Sequence, residues 1–477
     1  MALEIFPPFT ASTRCDRGPV SGPGRLGNGR ATASLAIPLM GRSDSNVRKT
    51  MTSPHTRRNF VKRTTVYSFG LAAVPFIARA QTTKSPGEKL VVGVMGLGRG
   101  FDHVKALQQI SNVEVAYLAD IDEQRVAKAQ KSAFATAEKQ PKGVKDFRRI
   151  LEDKQVDALF IAAPNHWHAP ATILACSAGK HVYVEKPASH NAREGEWMVA
   201  AARKHKRVVQ MGNQRRSWPG IIEAVEKLRS GVIGEVRAAR TWYNNARASI
   251  GRGKPVPVPA NIDYDLWQGP APERPYVDNL VHYNWHWRWH WGGGEIGNNG
   301  PHAFDLARWG LGVEYPVRVT CNGGRYHFND DQETSDTSIA TIDFGGKALI
   351  WDGSSCHPRA NEKLPFVAWY GDNGSMANYG NGYKIFDPKG KEVGEGTGPG
   401  GDKVHIENFL KAIRGDAKLN SEIAVGQTST LLCHLSNIAY RSGHTIHFDP
   451  EARKMIADPE AEKFWGREYR PGWEPKV

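Results

Sequence analysis

Residues 90–101 read LVVGVMGLGRGF, an apolar run followed by glycine at positions 96, 98 and 100. The run at 90–95 is typical of a buried strand, and residues 101–110 predict a helix. Glycine leaves the backbone of the turn bare, so an anionic group can approach the helix N-terminus, where free N–H groups and the helix dipole favour negative charge. The stretch therefore predicts the first strand, turn and helix of a dinucleotide-binding domain.

An acidic residue supports this interpretation. Asp120 follows a second β-type run at 113–119 and lies 24 residues after Gly96. A carboxylate there can accept hydrogen bonds from both ribose hydroxyls of a dinucleotide and would repel a 2′-phosphate. The two features favour NAD over NADP, although the nearby Arg125 leaves NADP open. The motif departs from the usual pattern in its third glycine, because Phe101 stands there and Gly100 is offset.

The alternation of strand and helix patterns continues to residue 211. Further β-type runs are predicted at 156–163, 182–184 and 207–211, and helices at 122–138, 169–178 and 192–205. Parallel strands need crossover helices, so this order predicts a parallel sheet covered by helices.

The pattern changes after Trp218. A helix is predicted at 220–228, and it is followed by β-type runs at 236–243, 317–321, 337–344, 348–351 and 365–369, separated by long loops rich in Gly, Pro and Asn. A Gly-rich turn region is predicted at 386–402 and a last helix at 425–441. The predicted fold class is α/β, with a Rossmann domain followed by an α/β domain whose sheet is mostly antiparallel.

The charge of the chain is concentrated at its N-terminus. The chain has 477 residues and a formal net charge of +14, which alone would prompt a search for a polyanionic partner. Residues 1–80 hold twelve Lys and Arg against three Asp and Glu, a net charge of +9. Residues 81–477 carry +5, an ordinary value for a soluble enzyme. We therefore expect no nucleic-acid partner.

The basic N-terminus fits an export signal. Residues 56–62 read TRRNFVK, a twin-arginine pattern, and a moderately apolar run at 66–78 leads to the small-x-small sequence ARA at 78–80. A membrane anchor is the alternative, but the run is shorter than the ~20 residues of a membrane span and is interrupted by serine, glycine and proline. The sequence predicts export to the periplasm through the twin-arginine machinery, a route that commonly carries folded proteins with their cofactor inserted.

The N-terminal region also predicts the domain boundaries. Residues 1–50 are rich in Gly, Pro, Ser and Arg without hydrophobic periodicity, and Met51 stands just ahead of the twin arginines. We expect 1–50 to be a non-native or disordered extension, with translation beginning at Met51. The predicted organisation is then a signal peptide at 51–80, a Rossmann domain at 81–212, a substrate and oligomerisation domain at 213–450, and a tail at 451–477.

The cysteines predict neither a metal site nor an obligatory disulfide. Cys15 is lost with the leader, and the other four cysteines lie far apart without metal-ligand spacing. Cys176 and Cys433 fall in apolar helical patterns and are expected to be small core residues.

Three further segments carry candidate chemistry. APNHWH at 163–168 and EKP at 185–187 follow β-type runs, at the carboxyl ends of parallel strands where open α/β sheets bind ligands. The third segment reads GGGEIGNNGPHAFD at 292–305. With the glycine turn, and in this order, these segments resemble the Gfo/Idh/MocA family, named for glucose-fructose oxidoreductase, inositol dehydrogenase and a rhizopine-catabolism protein. The resemblance covers residues 88–450.

The resemblance implies NAD(P)-dependent oxidation or reduction at a hydroxyl-bearing carbon of a sugar or polyol, an open second sheet, and a homodimer or homotetramer. It places Lys186 at the reacting hydroxyl and the nicotinamide ribose, where an ammonium stabilises alkoxide character. It makes His302 the base that takes the hydroxyl proton. The cofactor-binding residues on the matching segments are Gly96, Gly98, Arg99, Gly100, Asp120, Asn165, His168, Glu185 and Lys186.

Asn298 departs from the family pattern, because many members carry Asp four residues before the histidine. Asparagine can orient an imidazole or a hydroxyl but cannot take a proton, so proton transfer should rest on His302. At a spacing of four residues on a helix, the two side chains are expected to share one face. The predicted catalytic residues are therefore Lys186, His302 and Asn298.

Residues 283–291 read YNWHWRWHW, with aromatic and polar residues alternating. An extended stretch would place four tryptophans on one face, and would hold His286 and His290 ~13 Å apart, too far to share a metal ion. Indole faces suit the C–H faces of a pyranose, whereas packing under the second sheet or at a subunit interface is an equally open interpretation. Arg215 matches an arginine that reaches substrate in related family members. The predicted substrate contacts are Arg215, Tyr243, Trp285, Arg288 and Asp305.

Three functions remain open on the sequence alone. The first is a carbohydrate oxidoreductase with a tightly bound NAD that is recycled in place, because the periplasm offers no free dinucleotide pool. The second is an NAD-assisted, redox-neutral glycosidase or lyase, since no pair of carboxylates supports ordinary glycoside hydrolysis. The third is a non-catalytic sugar-binding protein that retains NAD, which Asn298 favours.

Overall fold

The computed structural model describes residues 88–357, 359 and 362–477. The predicted extension at 1–50, the predicted signal peptide at 51–80 and Cys15 lie outside the described residues. Within the described part, every helix is too short or too polar to cross a membrane. The predicted domain boundaries and the predicted homo-oligomer stay predictions.

The first domain is built on a six-stranded parallel sheet in the order β3-β2-β1-β4-β5-β6. Its central strands are buried on both faces, because helices cover both sides, and they accordingly read as continuous apolar runs. The strand order reverses between β1 and β4, and the loops at their carboxyl ends border a crevice. The strands are β1 (Leu90–Met95), β2 (Val113–Ala119), β3 (Lys142–Val144), β4 (Ala158–Ile161), β5 (His181–Val184) and β6 (Val209–Met211).

Five helices connect these strands. Helix α2 is capped by the side chain of Asp122, which accepts a hydrogen bond from Gln124 N, and α5 is capped in the same way by Asn191. Helix α4 begins at Asn165, four residues before the predicted start at 169, directly after Pro164, whose backbone is extended with ψ 153°. The helices are α1 (Gly100–Leu107), α2 (Glu123–Ala133), α3 (Arg148–Glu152), α4 (Asn165–Ser177) and α5 (Ala192–Lys204).

The second domain holds a ten-stranded sheet in the order β14-β13-β12-β11-β7-β10-β9-β8-β15-β16. Only β7 and β10 among these strands pair in parallel, and the other paired neighbours are antiparallel, which confirms the predicted fold class. The strands are β7 (Val236–Asn244), β8 (Arg318–Gly324), β9 (Thr337–Asp343), β10 (Ala348–Ser354), β11 (Val367–Gly371), β12 (Gly374–Tyr379), β13 (Gly382–Phe386), β14 (Glu392–Thr397), β15 (Ile446–Asp449) and β16 (Lys454–Met455).

Three helices of the second domain, Pro219–Arg229, Gly300–Leu311 and Ile423–Ser442, pack against this sheet. Phe304 meets Trp351 edge to face at 5.5 Å, and Trp369 donates its indole N–H to Ala307 O at 3.2 Å. These buried contacts fix the helix that carries His302. The helices are α6 (Pro219–Arg229), α7 (Tyr264–Gln268), α8 (Gly294–Asn298), α9 (Gly300–Leu311), α10 (Lys403–Arg414), α11 (Ile423–Ser442) and α12 (Pro459–Glu462), with 3₁₀ turns at Gln214–Ser217 and Asn284–Trp287.

The chain returns from the second domain to cover the first. On α10, Phe409 lies 5.6 Å from the ring of Phe160 on β4 and 5.8 Å from that of Tyr183 on β5. The side chains of Ile406, Phe409 and Leu410 are fully buried in the core of the first sheet. This helix, which follows the last long strands of the second sheet in the chain, therefore completes the hydrophobic core of the first sheet.

The prediction of a Gly-rich turn region at 386–402 is wrong for its centre. Residues Glu392–Thr397 form strand β14, which pairs antiparallel with β13 at the edge of the sheet. The glycines at 394 and 396 alternate with polar residues on an edge strand, where packing demands little of the side chains.

Candidate active site

The loops at the carboxyl ends of the first sheet and the segment 282–302 of the second domain enclose a crevice of about 620 Å³. Its lining includes the glycine turn after β1, the loops after β2, β4 and β5, and the start of α9. Of the predicted site residues, the crevice brings together Gly96, Gly98, Arg99, Asp120, Asn165, His168, Glu185, Lys186, Trp285, Asn298 and His302.

Gly96 shapes the floor of the turn. Its φ is +83°, and a Cβ at this position would lie 2.6 Å from Ala162 O in the neighbouring loop. Its N–H donates to Ala119 O at 2.8 Å, which ties the turn to the end of β2. Only glycine gives both the backbone conformation and the close approach of the two loops.

We expect Gly96→Ala to destabilise the protein and to weaken dinucleotide retention about tenfold, because the clash with Ala162 O moves the turn. Gly179→Ala is the matched control, since Gly179 has φ +80° and a Cβ added there would meet no heavy atom within 4 Å. Both variants should lose about 1–2 kcal/mol from the left-handed backbone conformation. Thermal melting measures the loss of stability, and the dinucleotide content of the purified protein measures retention. Equal losses of stability and of dinucleotide in the two variants would show that the clash with Ala162 O has no effect.

Asp120 stands beside the turn. It is 8% exposed, and its two carboxylate oxygens accept hydrogen bonds from Leu97 N at 2.7 Å and Asp122 N at 3.0 Å. Burial raises the pKa of Asp120, while the two backbone N–H groups act to lower it. Each oxygen keeps a further lone pair for a ligand hydroxyl. Arg125 and Lys145 line the same end of the crevice.

The residues at this end fit a dinucleotide. A bare turn lies at the start of α1, an anchored carboxylate stands where a ribose would bind, and cations lie at the rim. Arg99 is a further cation in the crevice lining. Its Nε donates to Glu185 Oε1 at 3.1 Å and its Nη2 donates to Asp402 Oδ1 at 2.5 Å. Gly100 is buried at the first position of α1 against Val94 and Ala162 and does not line the crevice.

Glu185 is a buried anion beneath the crevice. Its Oε1 accepts hydrogen bonds from Arg99 Nε, from Gln214 Nε2 at 3.2 Å and from His103 Nε2 at 2.9 Å. Burial acts to raise the pKa of Glu185, but the His103 hydrogen bond and the neighbouring cations outweigh it and hold the pKa well below its usual range. Glu185 therefore stays charged and offsets part of the charge of Lys186.

Lys186 reaches across to the second domain. Its Nζ donates to both the backbone O and the side-chain Oδ1 of Asn298, each at 2.8 Å. Burial lowers the pKa of Lys186, and Glu185 and Glu295 act in the opposite direction. Both acceptors are neutral, so the ammonium keeps one N–H for the crevice, together with the part of its charge that Glu185 and Glu295 do not offset.

His302 lies near the start of α9. Its Nδ1 is buried and forms no hydrogen bond with any described residue. Burial, followed by the charge of Lys186, lowers the pKa of His302 well below its usual value. The imidazole is therefore neutral at physiological pH and able to take a proton.

The expectation that Asn298 and His302 share one helix face is wrong. Asn298 ends α8, whereas His302 belongs to α9, which begins at Gly300. The break between the helices turns the Asn298 amide toward Lys186, where it binds the ammonium. Asn298 thus orients the lysine.

The APNHWH segment joins three loops. Asn165 is the first residue of α4, and the two ring nitrogens of His168 lie 2.6 Å from Pro187 O and 2.7 Å from Ala163 O. Trp167 donates its indole N–H to Leu266 O and Trp267 O at 3.2 and 3.1 Å. The start of α4 therefore holds both the EKP loop and the segment of the second domain that covers the crevice.

The tryptophan stretch is not extended, so the condition for placing four tryptophans on one face is not met. Successive turns close it, with backbone bonds from His286 N to Tyr283 O, Arg288 N to Trp285 O and Trp291 N to Arg288 O. The tryptophans consequently point to different surroundings rather than one face. Trp285 lines the crevice, whereas the side chains of Trp287 and Trp291 are buried at 2% exposure each.

Four predicted substrate contacts lie outside the crevice lining. Arg215 Nη1 donates to Gly380 O at 2.5 Å and Arg288 Nη2 donates to Asp331 Oδ2 at 3.0 Å, both away from the crevice. Tyr243 stands behind the lining, where its OH accepts from Nη2 of the crevice residue Arg247 at 3.0 Å. Asp305 is 1% exposed and accepts from Arg216 Nε at 2.7 Å and Ser429 Oγ at 2.6 Å. Asp305 is therefore a buried structural anion rather than a substrate ligand.

Arg247 is a crevice residue that sequence reasoning missed. Its Nε donates to Glu295 Oε2 at 3.0 Å and its Nη1 to Tyr283 OH at 2.7 Å. It comes from the loop after β7, where a single arginine carries no motif. His286, weighed from the sequence only as a metal ligand, lines the crevice and stacks on Trp285 at 3.6 Å, and burial lowers its pKa to about 3. Among the described residues, no group of three His, Cys, Asp or Glu side chains is arranged to hold a metal ion.

Known proteins share this architecture. The chain is 25% identical over 330 residues to the uncharacterized oxidoreductase YrbE of Bacillus subtilis, covering 68% of this chain and 79% of that protein. It is 27% identical over 390 residues to an alpha-N-acetylgalactosaminidase of Tannerella forsythia, covering 76% and 80%. An inositol 2-dehydrogenase of Salmonella typhimurium is 33% identical over 160 residues, which cover 33% of this chain and 46% of that enzyme.

Solved structures show the same fold. The aldose-aldose oxidoreductase of Caulobacter crescentus, complexed with glycerol, superimposes with a TM-score of 0.59 at 20% identity, over 76% of this chain and all of that one. The WlbA dehydrogenase of Bordetella pertussis, in complex with NADH and UDP-GlcNAcA, gives a TM-score of 0.59 at 18% identity, over 76% of this chain and 99% of that one.

Two family models cover nearly all of the described chain. The NAD-binding Rossmann-fold model of the Gfo/Idh/MocA oxidoreductases matches residues 90–213, and the C-terminal alpha/beta-domain model of the same family matches residues 238–475. With the glycine turn, Lys186 and His302 meeting in one crevice, the chain belongs to the Gfo/Idh/MocA family and is an NAD-binding oxidoreductase.

Proposed function

We propose that this oxidoreductase transfers a hydride between a hydroxyl-bearing carbon of a sugar, polyol or glycoside and a tightly held nicotinamide dinucleotide. The observation that carries the proposal is the crevice itself, in which Lys186 and a neutral His302 lie with the glycine turn and Asp120. When bound, the dinucleotide accepts or supplies the hydride.

Lys186 and His302 have different roles in the proposed reaction. The ammonium of Lys186, held by Asn298, donates its remaining N–H to the substrate oxygen and stabilises the negative charge that develops there. The imidazole of His302 takes the hydroxyl proton during oxidation and returns it during reduction. Trp285 and His286 add a flat stacked surface that suits the C–H face of a sugar ring.

Asp120 supports NAD as the cofactor of the proposal. We expect Asp120→Asn to raise the affinity for NADP relative to NAD about tenfold, because it removes the charge that repels a 2′-phosphate while an amide oxygen can still accept from Leu97 N. Dissociation constants for both dinucleotides, measured on protein stripped of its cofactor, give the ratio. Asp122→Asn is the control, since Asp122 caps α2 and does not line the crevice; an unchanged ratio in Asp120→Asn would contradict the assignment.

A redox-neutral glycosidase is a second candidate, favoured by the relatives named as alpha-N-acetylgalactosaminidase and glycosyl hydrolase family 109 protein, each matched over 76% of this chain. Oxidation of a ring hydroxyl would acidify the neighbouring C–H, and loss of that proton would expel the aglycone and leave a double bond. Addition of water to the double bond and return of the hydride to the ring carbon would then give the free sugar with no net redox change. The same Lys186 and His302 would serve both half-reactions.

Export completes the proposal. The twin-arginine pattern at 56–62 supports passage of the folded protein to the periplasm, where a dinucleotide must be recycled while bound. Cell fractionation of the native host with and without Arg57→Lys and Arg58→Lys tests it. Periplasmic protein that disappears in the double variant is the expected result, and unchanged localisation would refute export by this route.

One experiment separates the candidate functions. The exported protein is purified, the dinucleotide released on denaturation is identified, and a panel of sugars and glycosides is added while nicotinamide absorbance and product mass are followed. Reduction that stalls until an acceptor sugar is added supports the oxidoreductase. Free aglycone without net reduction supports the glycosidase, and binding without either change supports a non-catalytic binder.

A further inference from the structure

A second cavity, of about 430 Å³, shares no lining residue with the catalytic crevice. One wall is a face of α11 on which His434, Asn437 and Arg441 recur at helical spacing. The other walls are the loop at 190–191, the segment 272–274, the residues from Trp289 to Gly293, and the C-terminal segment at 463–468. The cavity thus joins parts of both domains and the tail.

Three guanidinium groups face this space. The Arg441 guanidinium lies 4.9 Å from the ring centroid of Trp289 and 3.9 Å from that of Phe464. The Arg467 guanidinium donates to the backbone O of Glu468 at 3.2 Å, lies 3.4 Å from a ring nitrogen of His190, and lies 5.8 Å from the ring centroid of Tyr469. The nearest carboxylate oxygen to Arg274, that of Glu333, is 3.9 Å away.

Two of these charges, on Arg441 and Arg467, have no direct ion pair. Across residues 88–357, 359 and 362–477, no carboxylate lies within ion-pairing distance of either guanidinium. Burial lowers the pKa of both, and the more distant carboxylates Glu333 and Glu194 offset this only in part. Of the two acidic residues that line the cavity, Glu273 is paired outward with Arg470 at 2.7 Å, and Glu468 is exposed. Lys463, the fourth cation, is paired with Glu460. Cations that are half-buried without a partner are costly unless a ligand pairs with them.

The histidines of the cavity supply neutral polar groups. His434 contacts Ser189 Oγ at 3.1 Å, and burial lowers its pKa to about 4. His290 lies 2.7 Å from Pro272 O, and burial likewise lowers its pKa to about 4. These two histidines are therefore neutral at neutral pH, and the positive charge of the cavity comes from the arginines and Lys463.

We propose that this cavity binds a sugar-sized oxyanion, a carboxylate or a phosphate ester, with Arg441 and Arg467 as its anchoring groups. The planar guanidinium presents paired N–H donors that match two oxygens of either anion. The volume exceeds that of an inorganic ion and lies in the range of small-molecule sites. The Trp289 ring packs against the Arg441 guanidinium, positions it, and provides an apolar surface beside it.

The cavity also touches the loops that carry catalytic residues. His190 stands four residues after Lys186 and contacts Trp289 O at 3.1 Å. Asn437 donates to Gly293 O at 2.9 Å, just before the helix that ends at Asn298. Because substitutions here can disturb catalysis through these loops, binding rather than turnover is the readout of the test.

Calorimetric titration of the holoprotein compares glucuronate, glucose 6-phosphate, inorganic phosphate and neutral glucose. We expect glucuronate or glucose 6-phosphate to bind at one site at least about tenfold more tightly than glucose, and Arg441→Gln to weaken that binding about tenfold. Arg467→Gln is the second variant, and melting temperatures show that each variant is folded. Preference for glucuronate identifies a carboxylate, and preference for glucose 6-phosphate a phosphate ester.

Arg247→Gln serves as the matched control, because it removes a guanidinium from the catalytic crevice. It should leave the anion affinity unchanged. The proposal is overturned if no organic anion binds, if glucose binds equally well, if inorganic phosphate alone binds, or if the affinity falls with Arg247→Gln and not with Arg441→Gln and Arg467→Gln.

Discussion

Replacing Lys186 with alanine is expected to lower kcat by about 10²–10³-fold while the purified protein keeps its dinucleotide. The ammonium is anchored by two neutral acceptors on Asn298, so its remaining N–H and the part of its charge that Glu185 does not offset act on the substrate oxygen. Dinucleotide retention depends mainly on the glycine turn and Asp120, at another part of the crevice. Stopped-flow measurement of nicotinamide absorbance after mixing with sugar gives the rate, and denaturation releases the dinucleotide for quantification.

Lys180→Ala is the matched control. Lys180 is a buried lysine whose Nζ also donates to two backbone carbonyls, Asp153 O at 2.6 Å and Val156 O at 3.0 Å, and burial lowers its pKa as it does that of Lys186. It lies outside the crevice lining, so its loss should cost stability and leave kcat nearly unchanged. Normal turnover by Lys186→Ala would refute the assignment of Lys186 to the reacting carbon.

Replacing His302 with glutamine is expected to lower the rate of oxidation by about 10²–10⁴-fold, the range for loss of a positioned base. The pH profile distinguishes this role from a structural one. A base with a lowered pKa stays unprotonated until the pH falls through that lowered value, so oxidation by the native protein should lose its rate only below the ordinary histidine pKa of ~6.5. On the alkaline side, the rate of the native protein should begin to fall at a pH below the ordinary lysine pKa of ~10.4. The reason is that burial lowers the pKa of Lys186, so the ammonium loses its proton at a lower pH.

His302→Gln should remove the acid limb and keep the alkaline one. His405→Gln is the control, because His405 is fully buried with a pKa lowered to about 4 and binds Ser217 and the Met211 carbonyl away from the crevice. Its pH profile should match that of the native protein. An acid limb that persists in His302→Gln would assign the proton transfer to another group.

The first domain could be predicted closely from its sequence, because strands buried on both faces read as continuous apolar runs between helical patterns. Leu90–Met95 shows this directly, and the glycines and Asp120 then mark the end of the sheet that binds ligands. The order of the three motifs was enough to predict that Lys186, Asn298 and His302 meet, and all three line the crevice.

The segment at 283–291 shows where such prediction fails. Aromatic and polar residues alternate there with the period of a strand. In the structure, hydrogen bonds from the N–H of residue i+3 to the carbonyl of residue i fold the segment into turns. The order of the side chains gives no indication of those backbone bonds. Arg247 was missed for a related reason, since its place in the crevice depends on Glu295 and Tyr283, which lie 48 and 36 residues away in the chain. Asp305 illustrates the opposite error, because its motif position fits a ligand contact while its partners Arg216 and Ser429 bury it.

The return of α10 onto the first sheet has a consequence for how the enzyme works. α10 cannot leave the first sheet without exposing the Phe160, Tyr183 and Phe409 rings to water and breaking the Arg99–Asp402 pair. The same pair holds Arg99 on Glu185, the anion next to Lys186, before any ligand arrives. Lys186 and its neighbouring charges are thus preorganised, and binding energy from the substrate is not consumed in ordering them.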